Sequence, residues 1–247
     1  MKRHIPNAIT CLNLMSGCVA TFFAFHEVYT AALIAIIVGA MFDFCDGLSA
    51  RLLGVSSPIG KELDSLADVV TFGVAPAAML FTVILNSLKT YIAPFEPVEA
   101  YVALTFVFSA LMFVLAAFSA LRLAKFNLDT RQATSFIGLP TPANALFWGS
   151  LIATYSNYFE LHAWLFWGAV VMCFVSCYLL VSEIPMFALK FKTWGWRGNE
   201  VKWVFLAAAV VMLALYPLFG PTVLSALWVI IAFYVVLSLL TQRKAEA

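Results

Sequence analysis

Long apolar stretches separated by short polar segments occur along the whole chain, and eight of them have the length of a bilayer-spanning helix. Such a helix needs about 20 mostly apolar residues. The pattern predicts an all-α polytopic membrane helix bundle in one domain, residues 1–247, with additional C-terminal spans over 162–240. The eight predicted spans are Ile5–Phe25, Tyr29–Leu52, Leu63–Leu85, Val98–Ala120, Pro142–Phe159, His162–Ser182, Val201–Leu218 and Pro221–Leu240.

The amino-acid composition indicates that lipid is the solvent of this chain. Hydrophobic residues make up 64% of it, charged residues make up 11%, and the mean hydropathy is +0.97. A typical soluble domain is about half apolar and about one quarter charged. The net charge of +1 provides no field that attracts nucleic acid. We therefore expect membrane lipid, and not nucleic acid, among the partners of this protein.

The basic residues favour one orientation in the membrane. Cytoplasmic segments of membrane proteins carry an excess of lysine and arginine. With the N-terminus in the cytoplasm, 13 of the 14 basic residues fall on the cytoplasmic side and only Lys89 does not. We expect a multi-pass protein of the cell inner membrane with both termini in the cytoplasm. The 13 residues are Lys2, Arg3, Arg51, Lys61, Arg122, Lys125, Arg131, Lys190, Lys192, Arg197, Lys202, Arg243 and Lys244.

Four aspartates lie where two predicted spans approach the cytoplasmic surface. Asp43 and Asp46 are near the end of the second span, and Asp64 and Asp68 are near the start of the third. A charged side chain at membrane depth costs about 2.5–3.5 kcal/mol on insertion scales. Aspartate is also a poor residue for a helix interior. These four carboxylates therefore need a partner that compensates their charge.

Helical spacing brings the four carboxylates together. One helix face carries, at offsets of 0, 3, 4 and 7 residues, Asp43, Asp46, Gly47 and Ala50. Asp64 and Asp68 are four residues apart and share a face of the next helix. The connection between the helices is short, so the two faces converge. Arg51 and Lys61 cannot balance four negative charges, whereas two divalent cations can, and hard cations prefer oxygen ligands.

Two other interpretations of these aspartates are open at this point. They can be ordinary interfacial acids that cap helices or pair with Arg51 and Lys61. They can also form the binding site of a cation transporter. A transporter is less favoured, because the carboxylates lie at one membrane face and no paired broken helices occur in matching halves of the chain.

The segment from Asp43 to Asp68 resembles the complete signature of the CDP-alcohol phosphotransferase family. The fixed positions of that signature are matched by Asp43, Asp46, Gly47, Ala50, Arg51, Gly60, Asp64 and Asp68. The resemblance implies a multi-helix membrane core, a homodimer and two bound Mg²⁺ or Mn²⁺ ions. It also implies that Asp43, Asp46 and Asp64 hold the metal, while Asp68 is both a ligand and the general base. Asp43, Gly47, Ala50, Arg51 and Gly60 would then shape the CDP and diphosphate pocket.

A finer resemblance is to the integral-membrane phosphatidylserine synthases of bacteria, a branch of that family. It is carried by residues 5–17, 72–77, 121–127 and 136–142. In the first stretch, Asn7 and Thr10 are candidates for contact with the nucleotide, although Pro6 and Asn7 can also simply start a helix.

The third of these stretches contains the candidates for binding the acceptor, namely Arg122, Lys125 and Asn127. An arginine fork binds a carboxylate in two places. Members of the family commonly have arginine where this chain has Lys125, so the role of this residue is open. Both basic residues can also be positive-inside anchors of the fourth span.

The resemblance implies that CDP-diacylglycerol and L-serine react to give phosphatidylserine and CMP. Glycerol 3-phosphate or an inositol phosphate is the alternative acceptor. A phosphorylated acceptor should require several more basic residues near the pocket. Apart from Arg51, the only nearby candidates are Arg122, Lys125 and Arg131. The sequence therefore favours the amino acid L-serine as the acceptor.

Overall fold

The structure is a computed structural model that describes residues 4–55, 57–92, 98–129, 136–187, 189, 195–196, 198–216 and 223–242. These residues form the predicted all-α bundle. Its described part has ten α-helices, and because two pairs of them are continuous through short turns, they make eight helical segments. The helices are α1 His4–Phe25, α2 Tyr29–Leu53, α3 Pro58–Asp68, α4 Ala75–Ile92, α5 Val98–Ala110, α6 Val114–Leu128, α7 Thr141–Leu161, α8 Ala163–Val181, α9 Glu200–Leu215 and α10 Ala226–Gln242.

Short non-α turns join some of these helices into longer segments. A π-helical turn, Val69–Val74, joins α3 to α4, and a 3₁₀ turn, Leu111–Phe113, joins α5 to α6. A second 3₁₀ turn, Val223–Ser225, precedes α10. A two-residue antiparallel pair, β1 Phe136–Ile137 and β2 Pro185–Met186, connects the segments that precede α7 and follow α8.

Six helical segments in the described part of the chain are long and apolar enough to cross a membrane. The two other predicted spans differ from them for separate reasons. α9 has only 16 residues. α7 has 21 residues, but polar side chains such as Asn144, Ser150 and Thr154 interrupt its apolar sequence. α7 packs against α2, α4, α8 and α10, so protein rather than lipid surrounds much of this helix.

The segment Pro58–Tyr91 is the central helix of the bundle. Within its apolar 18-residue stretch 78% of the residues are buried, compared with 28–39% in the other five candidate spans. Gly17 of α1 and Gly39 of α2 allow both helices to approach Thr71 in its π-helical turn. Such turns widen a helix and often occur at functional sites. Here the turn follows Asp68 directly.

The connection between α2 and α3 is shorter than predicted, because α3 begins at Pro58 and the third span was expected from residue 63. Gly54 ends α2 in a left-handed conformation, with φ 61°. The Oγ atom of Ser57 caps α3 by accepting the N–H of Gly60 at 3.0 Å. Pro58 suits the first turn, since no partner is needed for its nitrogen. These two ends turn the chain from α2 into α3, and α1 packs against both of these signature helices.

Much of the predicted charge asymmetry falls on segments that the structure does not describe. Arg51, Lys61, Arg122, Lys125 and Lys202 belong to the described residues. Outside them lie Lys2, Arg3, Arg131, Lys190, Lys192, Arg197, Arg243 and Lys244.

Candidate metal centre and substrate cavity

Three of the four predicted carboxylates meet beside α1, the helix that packs against both α2 and α3. One oxygen atom from each of Asp43, Asp64 and Asp68 lies within 4.8 Å of the others. Asp43 and Asp64 approach to hydrogen-bonding distance. Like charges so close repel each other unless a proton or a cation lies between them. The Oδ1 atom of Asp64 is buried and has no hydrogen-bond partner. This all-oxygen cluster therefore fits a hard metal ion.

Asp46 lies outside this group of three and has a different partner. It is buried, with 6% of its surface exposed, and its Oδ2 atom accepts a hydrogen bond of 2.5 Å from Thr10 Oγ1. The sequence predicted that Thr10 contacts nucleotide. In the structure its hydroxyl group orients Asp46, and both residues line the adjacent cavity.

Asn13 is a site residue to which the sequence analysis gave no role. Its Nδ2 atom donates a hydrogen bond of 3.0 Å to Asp68 Oδ1. The buried face of α1 carries Thr10, Asn13 and Gly17, at intervals of three and four residues. An asparagine three residues after Thr10, on the same face of an apolar helix, was the signal available in the sequence. It pointed to a polar partner on another helix, but it did not identify Asp68 as that partner.

A cavity of about 520 Å³ opens beside the carboxylates, between the first turns of α1 and the α2–α3 connection. It is lined by all six of the non-acidic residues predicted for the CDP pocket, namely Asn7, Thr10, Gly47, Ala50, Arg51 and Gly60. Asp46 and Asp64 also line it, whereas Asp43 is not among its lining residues. Apart from the backbone of its own helix, no atom lies within 4 Å of the position that a Cβ atom on Gly47 would take. The cavity therefore has room for a bulky ligand against this helix face.

Arg122 is an acceptor candidate that interacts with one of the clustered carboxylates. It is 6% exposed and interacts electrostatically with Asp68 and with Tyr234 of α10. Its guanidinium carbon lies 4.9 Å from the ring centre of Phe126. The Nε atom of Arg122 is buried and has no hydrogen-bond partner. A cationic donor is thus available near Asp68.

The two other acceptor candidates hold helix ends together. Lys125 Nζ donates to the carbonyl oxygen of Val181 at 3.3 Å, which links α6 to α8. Asn127 Nδ2 donates to Ser65 Oγ at 2.7 Å, and the main-chain oxygen of Asn127 accepts from Lys61 Nζ at 3.0 Å. These contacts dock the end of α6 on α3. Binding of the acceptor by Lys125 and Asn127 stays a prediction.

A profile of the family described as CDP-alcohol phosphatidyltransferase matches residues 3–175. The chain is 35% identical over 182 residues to the CDP-diacylglycerol–serine O-phosphatidyltransferase of Bacillus subtilis (strain 168), which covers 73% of this chain and 88% of the relative.

Two more relatives carry the same name. The protein of Helicobacter pylori (strain J99) is 31% identical over 230 residues, covering 87% of this chain and 88% of the relative. The protein of Mycobacterium leprae (strain TN) is 31% identical over 240 residues, covering 93% of this chain and 71% of the relative. The last two alignments extend beyond the family profile, which ends before α9.

Proposed function

Because the chain belongs to the CDP-alcohol phosphatidyltransferase family, we propose that it transfers the phosphatidyl group of CDP-diacylglycerol to the hydroxyl group of L-serine, giving phosphatidylserine and CMP. The observation that carries the proposal is the cluster of Asp43, Asp64 and Asp68 beside a cavity lined by the rest of the signature. The names of the three relatives support serine as the acceptor.

The cavity between α1, α2 and α3 is the proposed site of the CDP group. Arg51 contributes a cation to its wall, and Gly47 and Ala50 leave space for a phosphate close to the backbone. At Gly60, a Cβ atom would lie 3.1 Å from Asn7 Oδ1 and 3.0 Å from Ser57 Oγ. A larger residue at this position would therefore crowd the cavity wall. Asn7 and Thr10 form the side of the pocket contributed by α1.

Asp43, Asp64 and Asp68 are the residues that would hold a metal ion, with Asp46 beside them. We propose two Mg²⁺ or Mn²⁺ ions, because two divalent cations balance four carboxylates. When bound, such ions polarise the diphosphate and stabilise the charge of the departing CMP.

Asp68 is the proposed general base. It accepts the proton of the serine hydroxyl group, and the serine oxygen forms a bond to the phosphorus atom that carries the diacylglycerol. The bond between that phosphorus and the oxygen bridging to CMP breaks, and CMP leaves. Asn13 holds Oδ1 of Asp68, which fixes the orientation of the carboxyl group. As for other phosphoryl transfers, positioning and electrostatics supply most of the rate.

The acceptor is proposed to bind beside Arg122. Arg122 is the only basic side chain that is buried in the described part of the chain. A single buried cation suits a carboxylate better than a phosphorylated acceptor such as glycerol 3-phosphate or inositol phosphate, which carries more negative charge. The active site is proposed to face the cytoplasm of the inner membrane, where the water-soluble acceptor meets the lipid donor. The family resemblance supports a homodimer.

The test uses purified protein in detergent with CDP-diacylglycerol and Mg²⁺ or Mn²⁺. CMP should be released with serine and not with glycerol 3-phosphate or inositol phosphate. Release with one of the phosphorylated acceptors instead would assign a different member of the family. If no acceptor leads to CMP release and the protein takes up cations into liposomes, the proposal that it is an enzyme is wrong.

The variant Asp68→Asn tests the general base. It should abolish turnover and largely preserve binding of CDP-diacylglycerol, because Asp68 is absent from the residues that line the CDP cavity. Near-normal turnover of this variant would show that another group removes the proton.

A further inference from the structure

A group of buried polar atoms near the start of α7 has no protein partner. Thr141 and Asn144 are fully buried, and neither Thr141 Oγ1 nor either amide atom of Asn144 has a hydrogen-bond partner. Folded proteins contain few such atoms, and each one needs an explanation. Thr141 and Asn144 are three residues apart, so their side chains lie on one side of the first turn of α7.

Other polar side chains of α7 have partners within the protein. The indole N–H of Trp148, four residues after Asn144, donates to Ser176 Oγ on α8 at 3.1 Å. Ser150 and Thr154 donate to carbonyl oxygens one turn earlier in their own helix, at 2.6 and 2.7 Å. The unsatisfied atoms therefore belong to the first turn of α7.

Helix α7 runs parallel to α4, since a Cβ atom on Gly149 would lie 3.9 Å from Met79 Sδ and the carbonyl oxygen of Phe159 accepts from the hydroxyl group of Tyr91 at the far end. The first turn of α7 thus lies at the end of α4 that follows Asp68.

Packing brings this end of α7 to the elements that surround Asp68. α7 contacts the π-helical turn that follows Asp68, and it also contacts α6 and α10. Arg122 of α6 has an unpartnered Nε atom and interacts electrostatically with Asp68 and Tyr234. The hydroxyl group of Tyr234 donates to the carbonyl oxygen of Phe187 at 2.9 Å, which fixes α10 at this position. Helices α6, α7 and α10 thus converge beside the base.

We propose that Asn144 and Thr141 recognise the ammonium group of the acceptor amino acid, while Arg122 binds its carboxylate. The inference rests on the proposed function and names the residues that select its acceptor. Asn144 Oδ1 and Thr141 Oγ1 are acceptors suited to an ammonium group, and Arg122 supplies the charged fork for the carboxylate. The hydroxyl group of the amino acid is then left for Asp68. A site of this kind rejects analogues that lack one of the charged groups, because its own polar atoms stay unpaired.

Three acceptors that differ by one charged group test the assignment. Serine carries both groups, ethanolamine lacks the carboxylate, and 3-hydroxypropionate lacks the ammonium group. Asn144→Ala should lower kcat/KM for serine roughly 10- to 100-fold and change the value for 3-hydroxypropionate little. Arg122→Gln should lower kcat/KM for serine and change kcat/KM for ethanolamine little. The KM for CDP-diacylglycerol should stay the same in both variants.

The controls separate recognition from folding. Asn157→Ala removes an exposed asparagine from the same helix and should leave all three acceptors unaffected. Asn144→Ser keeps a polar group. It replaces the alanine variant in the test if that variant fails to fold, as judged by thermal unfolding in detergent. An analogue that turns over too slowly is measured as a competitor of serine.

Two outcomes would overturn the inference. One is an equal loss of kcat/KM with serine and with 3-hydroxypropionate in the Asn144 variants. The other is an unchanged kcat/KM for serine in these variants. If the wild-type protein releases no CMP with serine, the proposed function fails instead.

Discussion

Asn13 donates a hydrogen bond of 3.0 Å to the Oδ1 atom of Asp68, linking the first helix to the proposed catalytic base. The contact joins residues 55 positions apart in the sequence. It occupies one oxygen atom of Asp68 and leaves Oδ2 for a metal ion or for the acceptor hydroxyl. The main-chain oxygen of Asn13 accepts a second bond, from Thr71 Oγ1 at 2.9 Å. Asn13 is therefore fixed from both sides.

Replacement of Asn13 should reduce turnover without weakening the donor site. We expect Asn13→Ala to lower kcat roughly 10- to 100-fold, because partners behind a metal ligand typically contribute that much to activity. The KM for CDP-diacylglycerol should change little, since Asn13 does not line the cavity. Asn86→Ala, near the far end of α4, is the control. A kcat close to that of the wild type in Asn13→Ala would mean that Asp68 is held by other contacts.

The hydroxyl group of Thr10 should determine how well the site binds metal. Thr10→Val removes the hydrogen bond to Asp46 with almost no change of shape, and we expect the Mg²⁺ or Mn²⁺ concentration for half-maximal activity to rise about 10-fold. Thr10→Ser should behave as wild type. Thr21→Val is the matched control on α1, because the hydroxyl group of Thr21 donates to the carbonyl oxygen of Gly17 in the same helix. Equal metal requirements in Thr10→Val and Thr21→Val would contradict this role.

Loss of one clustered carboxylate should be far more severe than loss of an exposed one. Asp43→Asn leaves two of the three converging carboxylates and should reduce activity below detection at millimolar metal. Glu62→Gln removes an exposed acid two residues before Asp64 and should have little effect. Chelation with EDTA should abolish wild-type activity, and added Mg²⁺ or Mn²⁺ should restore it. Full activity after chelation would remove metal from the mechanism.

Alanine should destabilise the protein at two glycines that face Thr71, through contacts with different atoms of that residue. At Gly17, a Cβ atom would lie 2.7 Å from the Cα atom of Thr71, so only a backbone shift can relieve the contact. At Gly39, it would lie 2.5 Å from Thr71 Cγ2, a methyl group that serine lacks. We expect each alanine substitution to lower the free energy of unfolding by about 1–3 kcal/mol.

The double variant separates the two positions. Thr71→Ser should rescue Gly39→Ala, because it removes Cγ2 and keeps the hydroxyl group that bonds to Asn13. It should not rescue Gly17→Ala. Thermal unfolding in detergent measures both, and Gly168→Ala is the control, since no atom lies within 4 Å of its Cβ position. Rescue of both variants would indicate that the backbone of Thr71 yields readily.

The sequence predicted the bundle and its signature well, because these depend on local patterns. Apolar stretches of membrane length recur along the chain, and helical spacing places Asp43 and Asp46 on one face. Helix ends were less predictable. α3 begins earlier than expected because the cap formed by Ser57 acts through a single hydrogen bond, which apolar periodicity does not register.

Contacts between distant segments were not predictable in this way. A buried asparagine in α1 has many possible partners, and only the packing of α1 against the central helix selects Asp68 for Asn13. In the same way, the sequence grouped Lys125 with Arg122, but their side chains leave α6 in different directions. Lys125 is exposed and bonds to the end of α8, whereas Arg122 is buried near Asp68.

The sequence by itself determined that this chain forms a membrane bundle with four aspartates on two adjacent helices, since composition and helical periodicity suffice for both conclusions. Only the tertiary structure decided that three of the aspartates converge while the fourth bonds to Thr10. It also decided that Asn13 bonds to Asp68 and that Arg122 lies close enough to interact with it. The physical reason is that hydrogen bonds between helices depend on packing distances of a few ångströms, which residue spacing along the chain does not specify.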